Sequence, residues 1–335
     1  VSLLENNPHI YSNNDGTFTV TGPTNSPALP EIYQIEIHER CNFSCDFCQT
    51  GQWFQGKSKQ NASVDLYLIR KIIERDLGGS YFVELQHRGE PLLNNQLGDI
   101  ISLLKPHVFV GLSTNGSLIN RKLEECLMLD YMTISVDAAN KELYEQLRKG
   151  GNWETLLDNI DLLIKARGDN PTPIIDLQLI QLHETDCEET ALKNICDDRG
   201  WDVRVRTIQD CFLAVNHPAL FKVKTNDLCL NPFMSVSIHA DGNVVPCCRV
   251  WKDEWIYGNL WKNSLHEIWH DNPKVEEFRK MHRENKGLPF FCETCYSRSP
   301  VTLHWDIYRN AMNNLMRRQK VFRDIQLKIK SAQGD

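Results

Sequence analysis

Between residues 31 and 209, segments that alternate like strands are followed repeatedly by segments with helical periodicity, and this order limits the possible folds more than anything else in the chain. Strands are predicted at 32–37, 81–85, 108–113, 132–136, 174–181 and 202–208, and helices at 64–75, 97–104, 121–129, 153–164 and 188–197. A strand-first repeat of this kind builds a parallel sheet with right-handed crossovers and helices on its outside. The helix at 153–164 is the most sharply patterned, with Trp153, Leu156, Leu157, Ile160, Leu163 and Ile164 on one face. In such α/β sheets, ligands collect beyond the carboxyl ends of the strands.

The first of those ends carries Cys41-Asn-Phe-Ser-Cys45-Asp-Phe47-Cys48. Three thiolates on one loop can wrap an inorganic centre, and the C-x3-C-x2-C spacing stops one ligand short of the four that complete an iron–sulfur cluster. The alternative is a zinc knuckle, although zinc sites usually pair cysteines two residues apart and close all four positions. With Phe47 directly before the last cysteine, the octet resembles the signature of the radical S-adenosylmethionine (SAM) enzymes. The resemblance implies a partial (βα)6 barrel in which Cys41, Cys45 and Cys48 hold a 4Fe–4S cluster, with Phe47 beside it. The open iron would chelate the amino and carboxylate groups of SAM. An electron, delivered by a donor such as flavodoxin or ferredoxin, would then cleave SAM, and the 5′-deoxyadenosyl radical would take hydrogen from an unactivated carbon.

The later strand ends fit the same resemblance. Gln86-His-Arg-Gly89-Glu90-Pro91 is similar to the family's Gly-Gly-Glu-Pro turn, Gly89 letting the backbone approach the ligand and Glu90 offsetting the SAM ammonium. Arg88 stands where the family has its first glycine. Ser113 and Asn115 after the third strand, and Ser135 and Asp137 after the fourth, would bind the SAM carboxylate and ribose hydroxyls. Gln178 and Gln181 interrupt an apolar run and are expected inside the barrel. Arg204 and Arg206 alternate with valines and need anionic partners: a SAM or substrate carboxylate, or a surface salt bridge.

After residue 210 the pattern changes. Residues 229–248 read as a β-hairpin turning at Asp241-Gly242, with cysteines at both ends, followed by helices near 265–269 and 275–285. Cys229-x17-Cys247-x44-Cys292-x2-Cys295 supplies four thiolates, which alone suit structural zinc as well as one fully ligated cluster. With Gly258-Asn-Leu260 and the helix start Ser264-Leu-His-Glu-Ile-Trp269, the segment resembles the SPASM/twitch extension of radical SAM proteins. No cysteine follows Cys295, so the shorter twitch form with one auxiliary 4Fe–4S cluster is implied. Cys248 is left over, either a packed thiol or a hydrogen-atom donor to a substrate radical, and Cys211 is a second candidate donor. Cys126, Cys187 and Cys196 fall in helical segments as small buried hydrophobes.

The chain thus divides into an N-terminal arm (1–30), a barrel (31–210), an auxiliary-cluster domain (211–300) and a basic amphipathic C-terminal helix (301–335). A net charge of −7 argues against nucleic-acid binding. No apolar run approaches a membrane span, and residues 1–7 lack a signal peptide's basic and apolar regions, so a cytoplasmic location is expected. Relatives with such extensions act on ribosomally made peptides or on aminocyclitols and sugars. A peptide or protein side chain is the first expectation: oxidation, crosslinking, epimerisation or backbone excision, with leader recognition supplied by a separate partner protein. Dehydrogenation or epimerisation of an aminocyclitol or sugar is the second, with His87, His183 or Asp210 as base. A non-catalytic metal scaffold is the third.

Overall fold

The computed structural model describes residues 10–12, 18–20, 29–45, 47–48, 63–78, 80, 82–180, 188–208, 229, 231–250, 253–293 and 295. Ile10–Ser12 (β1) and Phe18–Val20 (β2) pair antiparallel across the turn residues of the N-terminal arm. The C-terminal helix expected over 301–335 lies outside the described residues.

Six strands run parallel in chain order: Ile32–Ile35 (β3), Phe82–Glu84 (β4), Phe109–Thr114 (β5), Tyr131–Ser135 (β6), Ile174–Ile180 (β7) and Arg204–Ile208 (β8). They are the six predicted strands, with ends shifted by a few residues. Helices Leu66–Arg75 (α1), Leu97–Leu104 (α2), Leu123–Met128 (α3), Lys141–Leu147 (α4), Trp153–Arg167 (α5) and Glu188–Arg199 (α6) lie between them. Helix α4 was not predicted, because its seven residues bury only Tyr144 and carry no periodic stripe. Helix α5 is capped by Asn152, whose side chain accepts from the Thr155 N–H at 2.8 Å, and is stopped by Gly168 at φ +54°.

Alternation within the strands separates two faces. Tyr33, Ile35, Val83, Leu85, Val110, Leu112, Met132, Ile134, Ile175, Leu177 and Leu179 face the helices and form the core with Leu156, Ile160 and Leu163 of α5. Each large side chain so buried contributes about 1.5–3 kcal/mol. On the opposite face, Ile32, Phe82, Phe109 and Tyr131 stand near the strands' starts, the Phe82 and Phe109 rings 6.0 Å apart. Further along this face come Gln34, Glu84, Ser113, Thr133, Asp176, Gln178, Arg204 and Arg206.

The hairpin of the C-terminal segment is Ser235–Ile238 (β9) and Asn243–Val245 (β10), turning at Asp241-Gly242 with Gly242 at φ +85°, and Gly258–Asn259 (β11) pairs outside β10. Strand β9 pairs in parallel with β3, from Ile32↔Ser235 to Ile35↔Ile238. The hairpin therefore carries the barrel sheet on to nine strands in the order β11-β10-β9-β3-β4-β5-β6-β7-β8. The helix predicted at 265–269 is a π-helical turn, Glu267–Asp271, and Pro273–Glu284 (α7) follows it. Among the described residues no helix is long and apolar enough to cross a membrane.

Candidate active site

The cysteine loop leaves β3 and is gripped from three directions. The Glu90 N–H donates to Arg40 O at 2.8 Å, the Ser44 N–H to Lys149 O at 2.8 Å, and the Asn115 side chain to Asn42 Oδ1 at 2.9 Å. Cys45 is buried while Cys41 and Cys48 are partly exposed. Burial, reinforced by Glu90, pushes the Cys41 thiol up to about 12, and burial pushes Cys45 up to about 11 although Arg148 opposes it. Iron loading must displace those protons. The surroundings suit thiolates: Asn115 Nδ2 is 3.7 Å and the Phe43 N–H 3.4 Å from Cys41 Sγ, and the Arg148 charge acts on Cys45.

Gly89 is required by its backbone neighbours. A Cβ there would sit 2.1 Å from His38 O and 2.6 Å from Arg40 O, so the turn lies directly on the segment entering Cys41. Glu90, 2% exposed, accepts from the Leu92 N–H (3.1 Å), Thr114 Oγ1 (2.6 Å) and the Asn115 N–H (2.8 Å). Its carboxylate thus pins the turn to the end of β5. Burial raises its pKa despite these donors. Arg88 pairs with Glu36, Nε–Oε1 and Nη2–Oε2 both 2.6 Å, and its Nη2 lies 3.7 Å from Glu39 Oε1.

Asp137, at φ +63° and fully buried, accepts from Arg148 Nε at 2.6 Å and from the Ile180 N–H at 2.9 Å. Its carboxylate is therefore engaged by protein, and its service to a ribose would be through Arg148. The Arg148 guanidinium also lies 5.4 Å from the Phe47 ring centre, which links the end of β6, the loop after α4 and the aromatic before Cys48. Arg148 was not recognised in the sequence. Its only signal is a lone arginine in Arg148-Lys-Gly-Gly151, and Gly150 packs against Asn42 O and Phe43.

The remaining expected residues lie on the polar face of the sheet. Ser113 Oγ donates to Glu84 Oε1 at 3.2 Å, Gln34 Nε2 to Glu84 Oε2 at 3.0 Å, and Ser237 Oγ to Gln34 Oε1 at 2.8 Å. This hydrogen-bonded row crosses β9, β3, β4 and β5. On the far side, Tyr131 OH (2.6 Å) and Arg204 Nε (2.7 Å) donate to the buried Asp176, and Arg206 Nε lies 2.8 Å from the same carboxylate. Arg204 and Arg206 therefore find their anion in Asp176, which the sequence reading passed over. Ser135 and Gln178 are register partners, both partly exposed, on the strands between. Of the base candidates, His87 is buried against His239 (ring centres 4.7 Å apart), near the Cys247 backbone. Burial, helped by Arg88, drops its pKa to about 3. His183, Asp210, Gln181, Cys187 and Cys211 lie outside the described residues.

A second set of thiols lines one cavity: Cys229, Cys247, Cys248, Cys292 and Cys295, with Phe278, His282 and Phe291 among the other walls. Burial, then the neighbouring Cys248, Cys292 and Cys295, pushes Cys247 far up. Segments far apart in sequence thus converge here, brought by β9, β10 and the short helix Phe290–Glu293. A ring of thiols around a cavity fits a polynuclear cluster. Among the described residues no three His, Cys, Asp or Glu groups are gathered as for a single ion.

Comparison with known proteins matches these two centres to two families. The model of the radical SAM superfamily covers residues 35–195, and that of SPASM, an iron-sulfur cluster-binding domain, covers residues 229–296. The S-adenosyl-L-methionine-dependent 2-deoxy-scyllo-inosamine dehydrogenase of Niallia circulans is 23% identical over 290 residues, spanning 82% of this chain and 96% of its own. The structure of anSMEcpe with bound AdoMet aligns with a TM-score of 0.59 at 16% identity, over 86% of this chain and 94% of that one. SuiB of Streptococcus suis bound to S-adenosylmethionine aligns with a TM-score of 0.58 at 13% identity, over 84% and 74%. At these identities the structures are alike in fold.

Proposed function

The chain belongs to the radical SAM superfamily and runs on into a SPASM iron–sulfur domain, and from that premise we propose that it oxidises a small polyhydroxylated substrate held on the polar face of its barrel. It is an enzyme whose first domain binds SAM and a 4Fe–4S cluster and whose SPASM domain binds auxiliary iron–sulfur. When bound and reduced, the first cluster supplies the electron that cleaves SAM to the hydrogen-abstracting 5′-deoxyadenosyl radical.

The protein's own residues set the stage for that event. Cys41, Cys45 and Cys48 would hold the cluster, and Glu90 and Asp137 fix the turn and Arg148 around it. Cys229, Cys247, Cys292 and Cys295 would hold the single auxiliary cluster, leaving Cys248 as the spare thiol on that cavity. The observation that carries the reading is the row Ser237–Gln34–Glu84–Ser113. Together with Gln178 and Arg206 it offers hydrogen-bond partners rather than an apolar groove, as a polyol requires. The similarity to the Niallia circulans dehydrogenase along nearly the whole of that enzyme supports the same class.

A peptide side chain is the second reading. It is favoured by the likeness in fold to SuiB, also solved with its precursor peptide SuiA (TM-score 0.54). A separate leader-binding protein would then be needed, and Cys248 would matter as hydrogen donor. Either reading requires an external electron donor of the flavodoxin or ferredoxin kind. Anaerobically reconstituted protein, given SAM, reductant, and panels of aminocyclitols, sugars and peptides, separates the two by mass spectrometry. Loss of two hydrogens from a polyol, matched by 5′-deoxyadenosine, is the expected result. Turnover of peptides alone would replace the first reading with the second.

A further inference from the structure

Glu84 occupies an unusual position on the polar face. Its two hydrogen-bond donors, Gln34 Nε2 and Ser113 Oγ, are both neutral, and no ion pair joins it among the described residues. The other carboxylates facing the barrel are neutralised at contact distance: Glu36 by Arg88 at 2.6 Å, and Asp176 by Arg204 at 2.7 Å and Arg206 at 2.8 Å. Glu84 retains partial exposure on the open side of the sheet while protein encloses the rest of it.

Glu84 is also held in place. Gln34 is fixed from behind by Ser237, and the two are register partners across β3 and β9, as Gln34 and Glu84 are across β3 and β4. Gly111 opposite Glu84 contributes no side chain, and a Cβ there would already be 2.8 Å from the Phe82 ring, so nothing larger fits between Glu84 and β6 on that level. Arg206 is near enough for its charge to act on Glu84, yet its side chain lies against Asp176, and its buried Nη1 has no hydrogen-bond partner among the described residues. A carboxylate held without a contact cation, and within range of its charge a guanidinium nitrogen without an acceptor among the described residues, together ask a ligand for one positive donor and one acceptor oxygen.

We infer that Glu84 recognises an ammonium group of the substrate while Arg206 Nη1 donates to one of its hydroxyl or carbonyl oxygens, which narrows the substrate class to amino alcohols such as aminocyclitols and amino sugars. This rests on the polyol reading above and names the residues that select within it. A neutral polyol would leave Glu84 without a contact cation, and an anionic sugar acid would meet repulsion from Glu84. The amine would also fix which face of the ring is offered to the radical, since a charge-assisted bond at one carbon orients the others.

The test uses reconstituted, SAM-loaded full-length protein, titrated calorimetrically under anaerobic conditions with matched pairs: 2-deoxy-scyllo-inosamine against myo-inositol, and glucosamine against glucose. The amine of at least one pair is expected to bind more tightly, and Glu84→Gln, whose amide oxygen can still accept from Gln34 while its nitrogen donates to Ser113 Oγ, is expected to lose about ten- to a hundredfold of that affinity while leaving the neutral member within about threefold. The iron bound per chain, about eight in both proteins, reports that both centres are loaded in the variant. Equal binding of amine and neutral members by the wild type, or an amine preference that survives in Glu84→Gln, overturns the inference even if polyols are oxidised. If no polyol is oxidised but peptides are, the underlying reading fails instead, and the inference falls with it.

Discussion

Arg88 closes its guanidinium on Glu36, with Nε and Nη2 each 2.6 Å from a carboxylate oxygen and both side chains buried. Glu36 Oε2 also accepts from the Ala240 N–H at 3.2 Å, so the pair joins the turn after β4 to the hairpin that extends the sheet. Arginine stands here where the family's turn has a glycine, and its guanidinium lies between Glu36 and Glu39. Arg88→Gly restores the family's residue yet strands a buried carboxylate, at about 3–5 kcal/mol. A melting temperature roughly 5–10 °C lower is expected, recovered in part by adding Glu36→Gln. An unchanged melting temperature would show that the pair does not join the two segments.

Arg148 connects Asp137, Cys45 and Phe47, and its removal should weaken the first centre without unfolding the barrel. In Arg148→Ala, Asp137 loses the cation its buried carboxylate pairs with and keeps the Ile180 N–H. SAM-dependent 5′-deoxyadenosine formation is expected to fall at least ~10-fold, and the iron bound by the first site to become labile to chelator. Retention of both would make Arg148 a bystander.

The strands and their ends were legible because periodicity and parity are local properties. Gly89, Glu90, Asn115 and Asp137 also stood out, since short motifs at strand ends are visible in one dimension. What they do was less visible. Apart from the Leu92 N–H, the carboxylates of Glu90 and Asp137 prove to bond groups 11 to 43 residues away, Arg148 among them. The pairing of β9 with β3 joins positions 203 apart, and no pattern in either strand announces it. Glu84 was hidden for the opposite reason: inside a short apolar strand, one glutamate reads as an edge residue until its neighbours Gln34 and Ser113 are placed beside it.

Cysteine substitutions should separate the two metal centres. Cys292→Ser removes one wall of the auxiliary cavity, so iron is expected to drop from about eight to about four per chain while SAM cleavage persists. Cys248→Ala should keep about eight, because four thiols remain on that cavity. In an oxidation that variant also turns over normally; abolished turnover would instead mark Cys248 as a hydrogen donor. Loss of iron in Cys248→Ala would reassign the ligand set.

Glu84 should reveal itself in stability as well as in binding. Burial raises its pKa above the ordinary 4.5, although Gln34, Ser113 and the Arg206 charge each pull it down. Below pH 4.5 the folded and unfolded chains both carry the proton. Between there and the raised value only the folded chain keeps it, so this group's contribution to stability declines as pH rises through that window. Above pH 4.5 the folded chain therefore bears a cost, that of keeping the proton or of ionising a desolvated carboxylate. Glu84→Gln removes that cost and should melt on the order of 2–4 °C higher at pH 7.5, the gain shrinking towards zero near pH 4.5. Glu90, raised in the same direction, is present in both proteins and cancels. A variant that is more stable yet binds amines more weakly is what a site strained for recognition requires. Equal destabilisation at both pH values would reduce Glu84 to a structural member of the hydrogen-bonded row.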